Sequence, residues 1–211
     1  MAIKNPFVFG KAAEGMYFTD RVEDAKRLKA NLTHGINTIL ISPRRWGKTS
    51  LVKKVLSDID DHTIKTVFID VFDCKSEYDF YHSFATAVVR QTSSKLDEWV
   101  EMAKTFLSNI SPKFSFGSEP LNDFSLSFDW NPKDKTEFDI LQLPEKIAKK
   151  KNLHIVVCLD EFQQIAAIPD AEKFQKKLRS VWQHQQNVSY CMFGSKKHLM
   201  EYFFNDPSMP F

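Results

Sequence analysis

Ser42-Pro-Arg-Arg-Trp-Gly-Lys-Thr49 is the stretch that decides the fold. An apolar run, Thr38-Ile-Leu-Ile41, precedes it, and a helix-like run, Ser50-Leu-Val-Lys-Lys-Val-Leu56, follows. Strand, Gly-Lys-Thr loop and helix in that order are the setting of a phosphate-binding P-loop. The loop's backbone N–H groups and the helix N-terminus both face an anion. In this reading Lys48 reaches the β- and γ-phosphates, and the Thr49 hydroxyl sits on Mg²⁺. Gly47 lets the backbone pass close to the phosphates. The candidate nucleotide-binding segment comprises Ser42, Pro43, Arg44, Arg45, Trp46, Gly47, Lys48, Thr49 and Ser50. Ser42 stands where the usual pattern begins with Gly. Arg44 and Arg45 face phosphate, an adjacent subunit or plain solvent.

Roughly 110 residues later, a spacing that fits one α/β nucleotide-binding domain, comes His154-Ile-Val-Val-Cys-Leu-Asp-Glu161. A continuous apolar run suits a parallel strand covered on both faces. Such sheets place their chemistry at the strands' C-terminal ends. Asp160 is the expected Mg²⁺-holding Walker B aspartate, and Glu161 the residue that orients or deprotonates a water. A buried strand capped by a solvated Asp-Glu pair would look the same without the P-loop. Glu161 also separates reaction classes: a hydrolase needs a water-activating carboxylate, and a small-molecule kinase does not.

The remaining composition bounds the answer. The 211 residues allow one substantial domain. Hydrophobic residues make up 43% and charged ones 27%, which is ordinary for a soluble globular chain. The net charge of +2 argues neither for nor against nucleic acid. Nineteen Phe predict an aromatic-rich core, a sticky face, or both. Cys74, Cys158 and Cys191 lack metal-ligand spacing and read as buried free thiols, which suits a reducing cytoplasm. No apolar segment is long enough to span a membrane, and the N-terminus has no signal-peptide pattern.

Along the chain, Phe7, Val8 and Phe9 anchor an irregular arm. Asp20 is the expected cap of a helix over 21–33, with Val22, Ala25, Leu28 and Leu32 on one face. Strands are expected at 38–42, 64–70, 154–159 and 188–193. Helices are expected at 48–58, 77–109, 171–185 and 196–204. Strands alternating with helices predict a parallel sheet. Residues 110–136 break that rhythm. Phe114 and Phe116, then Phe124, Leu126, Phe128 and Trp130, alternate with polar residues around Gly117-Ser-Glu-Pro120. That pattern predicts an inserted β-hairpin whose aromatic face packs on its own domain or docks a partner. Lys146, Lys149, Lys150 and Lys151 close a helix with apolar positions Phe138, Leu141 and Ile147. These lysines either complement the helix dipole or touch nucleic acid.

Three segments together carry a family resemblance: Phe18-Thr-Asp-Arg21 with Glu23, Gly35-Ile-Asn-Thr-Ile-Leu-Ile41, and Pro43-Arg-Arg-Trp-Gly-Lys-Thr-Ser-Leu51. The chain resembles the archaeal-type ATPases of the AAA+/STAND group of P-loop NTPases, from about Asn5 to about Phe204. Leu159-Asp-Glu-Phe-Gln163 looks like their Walker B segment and Phe193-Gly-Ser195 like their sensor 1. The resemblance implies an AAA+/ASCE-like parallel sheet flanked by helices, with ATP and Mg²⁺ as ligands. It implies that Arg21 touches adenine and that Ser195 lies near the γ-phosphate, beside Lys48 on the phosphates, Thr49 and Asp160 on the metal, and Glu161 on the attacking water. Where the family has Gly before that Arg, this chain has Asp20. The family's core sheet runs 5-1-4-3-2, and only four such strands are expected here. The family continues with a fifth strand, a lid and often a winged helix. Residues 1–211 are thus expected to be an ATPase domain cut before these parts, binding nucleotide better than turning it over.

Three functions follow as expectations. The leading one is Mg-dependent ATP binding and hydrolysis that drives a conformational change. The alternative is a nucleotide-gated interaction or signalling switch with little turnover. The third is a DNA-associated module, in which a C-terminal region beyond this sequence would meet the DNA. A homo-oligomer or a protein partner is compatible with each.

Overall fold

The computed structural model describes residues 21–93, 95–107, 112–116, 124–127 and 136–205. The elements are, in chain order, α1 (Val22–Thr33), β1 (Thr38–Ile41), α2 (Lys48–Ser57), β2 (Ile64–Asp70), α3 (Glu77–Gln91), α4 (Leu96–Phe106), β3 (Lys113–Phe116), β4 (Phe124–Ser127), α5 (Thr136–Leu141), α6 (Leu143–Lys151), β5 (His154–Asp160), a 3-10 turn (Phe162–Ala167), α7 (Ala171–Trp182), β6 (Val188–Gly194) and α8 (Lys197–Asn205).

Apolar runs build the centre. β1, β2, β5 and β6 form one sheet in the spatial order β1-β6-β5-β2, and every pairing is parallel. Alternate residues of β5 divide between two cores. Ile155, Val157 and Leu159 join α3, α4, α6 and α7 on one face. Val156 and Cys158 join Leu28 and Leu32 of α1 and Leu51, Val52 and Val55 of α2 on the other. β6 divides the same way, with Tyr190 and Met192 on the first face and Cys191 and Phe193 on the second. Both faces are covered, which is why these strands read as unbroken apolar runs rather than alternating ones. The three cysteines are buried free thiols.

The two edges of the sheet are finished differently. On β2 the side-chain amide of Gln91 accepts from the Phe68 N–H at 2.8 Å and donates to the Phe68 carbonyl at 3.0 Å. It occupies the hydrogen-bonding positions a further strand would use. β1 pairs with β6 alone among the described residues. The order thus matches the 1-4-3-2 part of the expected topology, with β1 at the margin.

Several sequence expectations are corrected in detail. The helix expected at 77–109 is two helices. At the end of α3 the Thr92 hydroxyl turns back onto the Val88 carbonyl at 2.6 Å, while the Trp99 indole of α4 reaches back to the Ser93 carbonyl at 2.9 Å. Such local side-chain bonds compete with helix continuation. The helix carrying the lysine run is also two helices, split at Gln142, because Pro144 near the start of α6 has no N–H for the turn before it. Phe138, expected on an apolar face, is 52% exposed. Lys149 and Lys150 pair with Glu145 and Glu101, and Lys151 with Glu98. The N-cap of α1 is Arg21, without a side-chain cap bond; Asp20 and the arm at 1–20 lie outside the described residues.

β3 and β4 pair antiparallel, with Phe114 opposite Leu126. Leu126 is fully buried, and its backbone N–H and carbonyl both lie within hydrogen-bonding distance of the Thr86 hydroxyl on α3. Phe114 packs against the same core. The hairpin therefore packs on its own domain at these residues; Gly117–Pro120, Phe128 and Trp130 lie outside the described residues.

Candidate functional site

The C-terminal ends of β1, β5 and β6 converge on one side of the sheet, with β6 between the other two. The loop after β1 turns into α2 through Gly47, whose φ of 66° lies in the left-handed region. That backbone, not crowding, asks for glycine: a Cβ there would meet nothing within 4 Å. The space above Gly47 is open where an anion would lie at the N-terminus of α2. Arg45 shares the left-handed conformation at φ 66°. Thr49 and Ser50 continue the first turn of α2, and the Gly47 carbonyl accepts from the Leu51 N–H at 2.8 Å.

Lys48 is nearly buried, and its Nζ donates to the Ser42 carbonyl at 2.7 Å and the Pro43 carbonyl at 2.8 Å. Burial lowers its pKa; the negative charges of Glu161 and Asp160 partly restore it, and the positive charge of Arg21 adds to the lowering. The Ser42 hydroxyl is buried with no hydrogen-bond partner among the described residues. A buried cation and an orphaned hydroxyl facing one loop are groups that an anionic ligand would satisfy.

Asp160 closes β5. Its Oδ2 accepts from the Thr49 hydroxyl at 2.8 Å, and its Oδ1 from the Glu161 N–H at 2.8 Å. Burial pushes its carboxyl above the ordinary range; those two hydrogen bonds pull it down, and the neighbouring charges of Asp70 and Glu161 push it up. A carboxylate held in that condition is short of positive charge. Among the described residues no three His, Cys, Asp or Glu side chains cluster as a protein-only metal site. Thr49 with Asp160 fits a Mg²⁺ that takes its other ligands from water and phosphate.

Glu161 follows in a left-handed conformation, φ 52°. Ser195, just past β6, donates to its Oε2 at 3.0 Å, and Gln163 donates to the same oxygen. The fold thus brings together Ser42, Lys48, Thr49, Asp160, Glu161 and Ser195. Arg21 stands at the rim, with Nη1 on the Trp46 carbonyl at 2.9 Å and Nε on Asp24 at 2.8 Å. Pro43, Arg44, Arg45 and Trp46 are exposed, Trp46 by 65%. Sequence reasoning gave no role to Gln163, Gly194 or Asp70, although all three border the site. Their signal is a contact across β5, β6 and β2, which needs the topology.

Residues 18–201 match the family of ATPase domains predominantly from Archaea. No curated protein matches the chain. Among solved structures, a Walker-type ATPase of Pyrococcus abyssi is similar at 17% identity and a TM-score of 0.57, over 97% of this chain and 54% of that one. The ORC2 protein of Aeropyrum pernix, in ADPNP–ADP complexes, is similar at 16% identity and a TM-score of 0.55, over 90% and 44%. The ORC1 protein of Aeropyrum pernix in complex with DNA is similar at 13% and 0.50, over 86% and 41%. At such identities the likeness is one of fold. The chain spans about half the length of these structures or less.

Proposed function

The chain belongs to the family of ATPase domains predominantly from Archaea, and from that premise we propose that it binds Mg-ATP at the loop between β1 and α2 and hydrolyses it. The observation that carries this reading is the 2.8 Å bond between Thr49 and the buried carboxylate of Asp160. It joins the first turn after the phosphate loop to the end of β5, as a shared cation site requires.

The roles follow from position. The amides around Gly47 and the N-terminus of α2 would bind the β- and γ-phosphates. Lys48 would leave the Ser42 and Pro43 carbonyls for phosphate oxygens. Ser42 would gain a partner for its hydroxyl. Thr49 and Asp160 would hold Mg²⁺, which when bound supplies charge neutralisation on those oxygens. Glu161 would accept a proton from water, and Ser195 would sense the γ-phosphate from the adjoining strand. Arg21, braced on Trp46, would contact the adenine, while Arg44 and Arg45 stay free to meet a neighbouring subunit. The preference for ATP over GTP rests on the family. The unit is one ATPase domain, with the hairpin at about 110–136 as an insertion, that passes the state of its nucleotide to a partner.

A second reading, a nucleotide-gated switch with little turnover, gains support from the resting contacts of Lys48. They must be exchanged on binding, so the loop has two hydrogen-bonded states. Phosphate release by the chain with Mg-ATP, beside Glu161→Gln, separates the two. Turnover that depends on Glu161 supports the hydrolase; binding without turnover supports the switch.

A further inference from the structure

Glu161 is held in a backbone conformation that side chains with a Cβ rarely adopt, φ 52°. Such a conformation persists when surrounding contacts over-determine it. Here two donors, Gln163 Nε2 and Ser195 Oγ, meet on the same oxygen, Oε2. Its other oxygen, Oε1, accepts no hydrogen bond among the described residues.

Gln163 is itself an unusual core residue. It is only 2% exposed, and its Oε1 has no partner among the described residues. A buried unpaired amide oxygen is costly, and Met would fill similar volume without it. The amide is wedged over Gly194. A Cβ added there would lie 1.7 Å from Gln163 Oε1 and 2.9 Å from its Cδ. The backbone of Gly194 is not left-handed, so what favours glycine there is room for this side chain. A bare strand end on β6 and a poorly satisfied amide on the 3-10 turn together place one N–H donor on the Glu161 carboxylate.

We propose that Gln163 is a positioning residue for hydrolysis: seated on Gly194, it acts with Ser195 to turn the Glu161 carboxylate so that Oε1 faces the attacking water. The proposal rests on the reading of Glu161 as the water-activating base. As the water oxygen bonds to the γ-phosphorus, its proton passes to Oε1. The bond to the bridging oxygen breaks, and ADP leaves with that electron pair. Gln163 touches neither water nor phosphate; it sets the direction of the group that does.

The test uses Gln163→Met, which keeps length and removes both amide atoms, together with Gly194→Ala, which displaces the amide from the other side. Each should lower kcat by about 10–100-fold, the scale of a misplaced catalytic group. Affinity for a non-hydrolysable ATP analogue should stay within about 2-fold, because only the chemical step is touched. The melting temperature of Gln163→Met should not fall, since a buried unsatisfied oxygen is removed; a merely structural glutamine would give a fall. In a Glu161→Gln background, Gln163→Met should lower kcat no further. Gly194→Ala combined with Gln163→Ala should be no slower than either alone. Unchanged kcat in both single variants, or additive losses on top of Glu161→Gln, would overturn the proposal. If Glu161→Gln itself leaves kcat unchanged, the hydrolase reading falls and takes this proposal with it. If Glu161→Gln is slow and Gln163→Met is not, only the role of Gln163 is lost.

Discussion

At the scale of single residues, two carboxylates side by side are asked to do different things. Asp160 is buried, accepts from Thr49, and has its pKa raised above the ordinary 3.8, chiefly by desolvation. A raised carboxyl pKa means that the fold disfavours the ionised form. That cost is present in full at neutral pH. It shrinks as pH falls through the raised value and vanishes below 3.8, where the group is protonated folded and unfolded alike. Asp160→Asn should therefore raise the ligand-free melting temperature at neutral pH by about 2–4 °C. The Thr49 hydroxyl can reverse to accept from the new amide. The gain should fade in scans towards acid pH, while the Mg²⁺-dependent part of nucleotide affinity is lost. A variant less stable than wild type at neutral pH would contradict this account of Asp160. Glu161→Gln should instead keep nucleotide affinity and reduce phosphate release by roughly 10²-fold, the scale of a lost general base. Equal release would favour the switch reading. Lys48 and Thr49 could be picked out in the sequence as the Gly-Lys-Thr loop between a strand and a helix, and Asp160 and Glu161 as carboxylates at the end of an apolar run. Gln163 and Gly194 could not, because their meaning is a packing contact between β6 and the turn after β5.

At the scale of elements, periodicity located the sheet strands to within a residue at either end, since both faces of β5 and β6 are covered and their runs are continuous. It merged helices that local side chains separate. The hydroxyl of Thr92 ends α3, and Pro144 starts α6, and neither interrupts the apolar pattern from which continuity was read. The hairpin shows the reverse case: its period-two alternation survived because one face is buried on α3 and the other is not. Leu126 is the anchor of that contact, fully buried and beside the Thr86 hydroxyl. Leu126→Ala should cost about 2–5 kcal/mol in stability by the cavity it leaves. Chemical denaturation would measure that loss. Calorimetry on the same variant should find nucleotide affinity within about 2-fold of wild type, because among the described residues β4 packs chiefly on β3 and α3, away from the phosphate loop. A large loss of affinity in the folded variant would show that the insertion shapes the site.

At the scale of the whole molecule, the order β1-β6-β5-β2 matters more than any single contact. It puts β6 between the strand that feeds the phosphate loop and the strand that ends in Asp160, so Ser195 arrives beside Glu161. The parallel sheet was legible from alternating strand and helix patterns; the strand order came from the family resemblance, not from periodicity. Binding to this site should stabilise the entire fold. At about 100 times Kd, Mg-ATP should add about 2.7 kcal/mol to unfolding. For a chain of this length that is a rise of about 5–10 °C in melting temperature. The most direct measurement is a calorimetric titration of Mg-ATP into the chain and into Lys48→Ala. The account predicts saturable one-site binding to the wild type and affinity at least ~10-fold weaker in the variant, about 1.4 kcal/mol. A wild type that takes up no nucleotide, or a Lys48→Ala that binds as tightly, would contradict it.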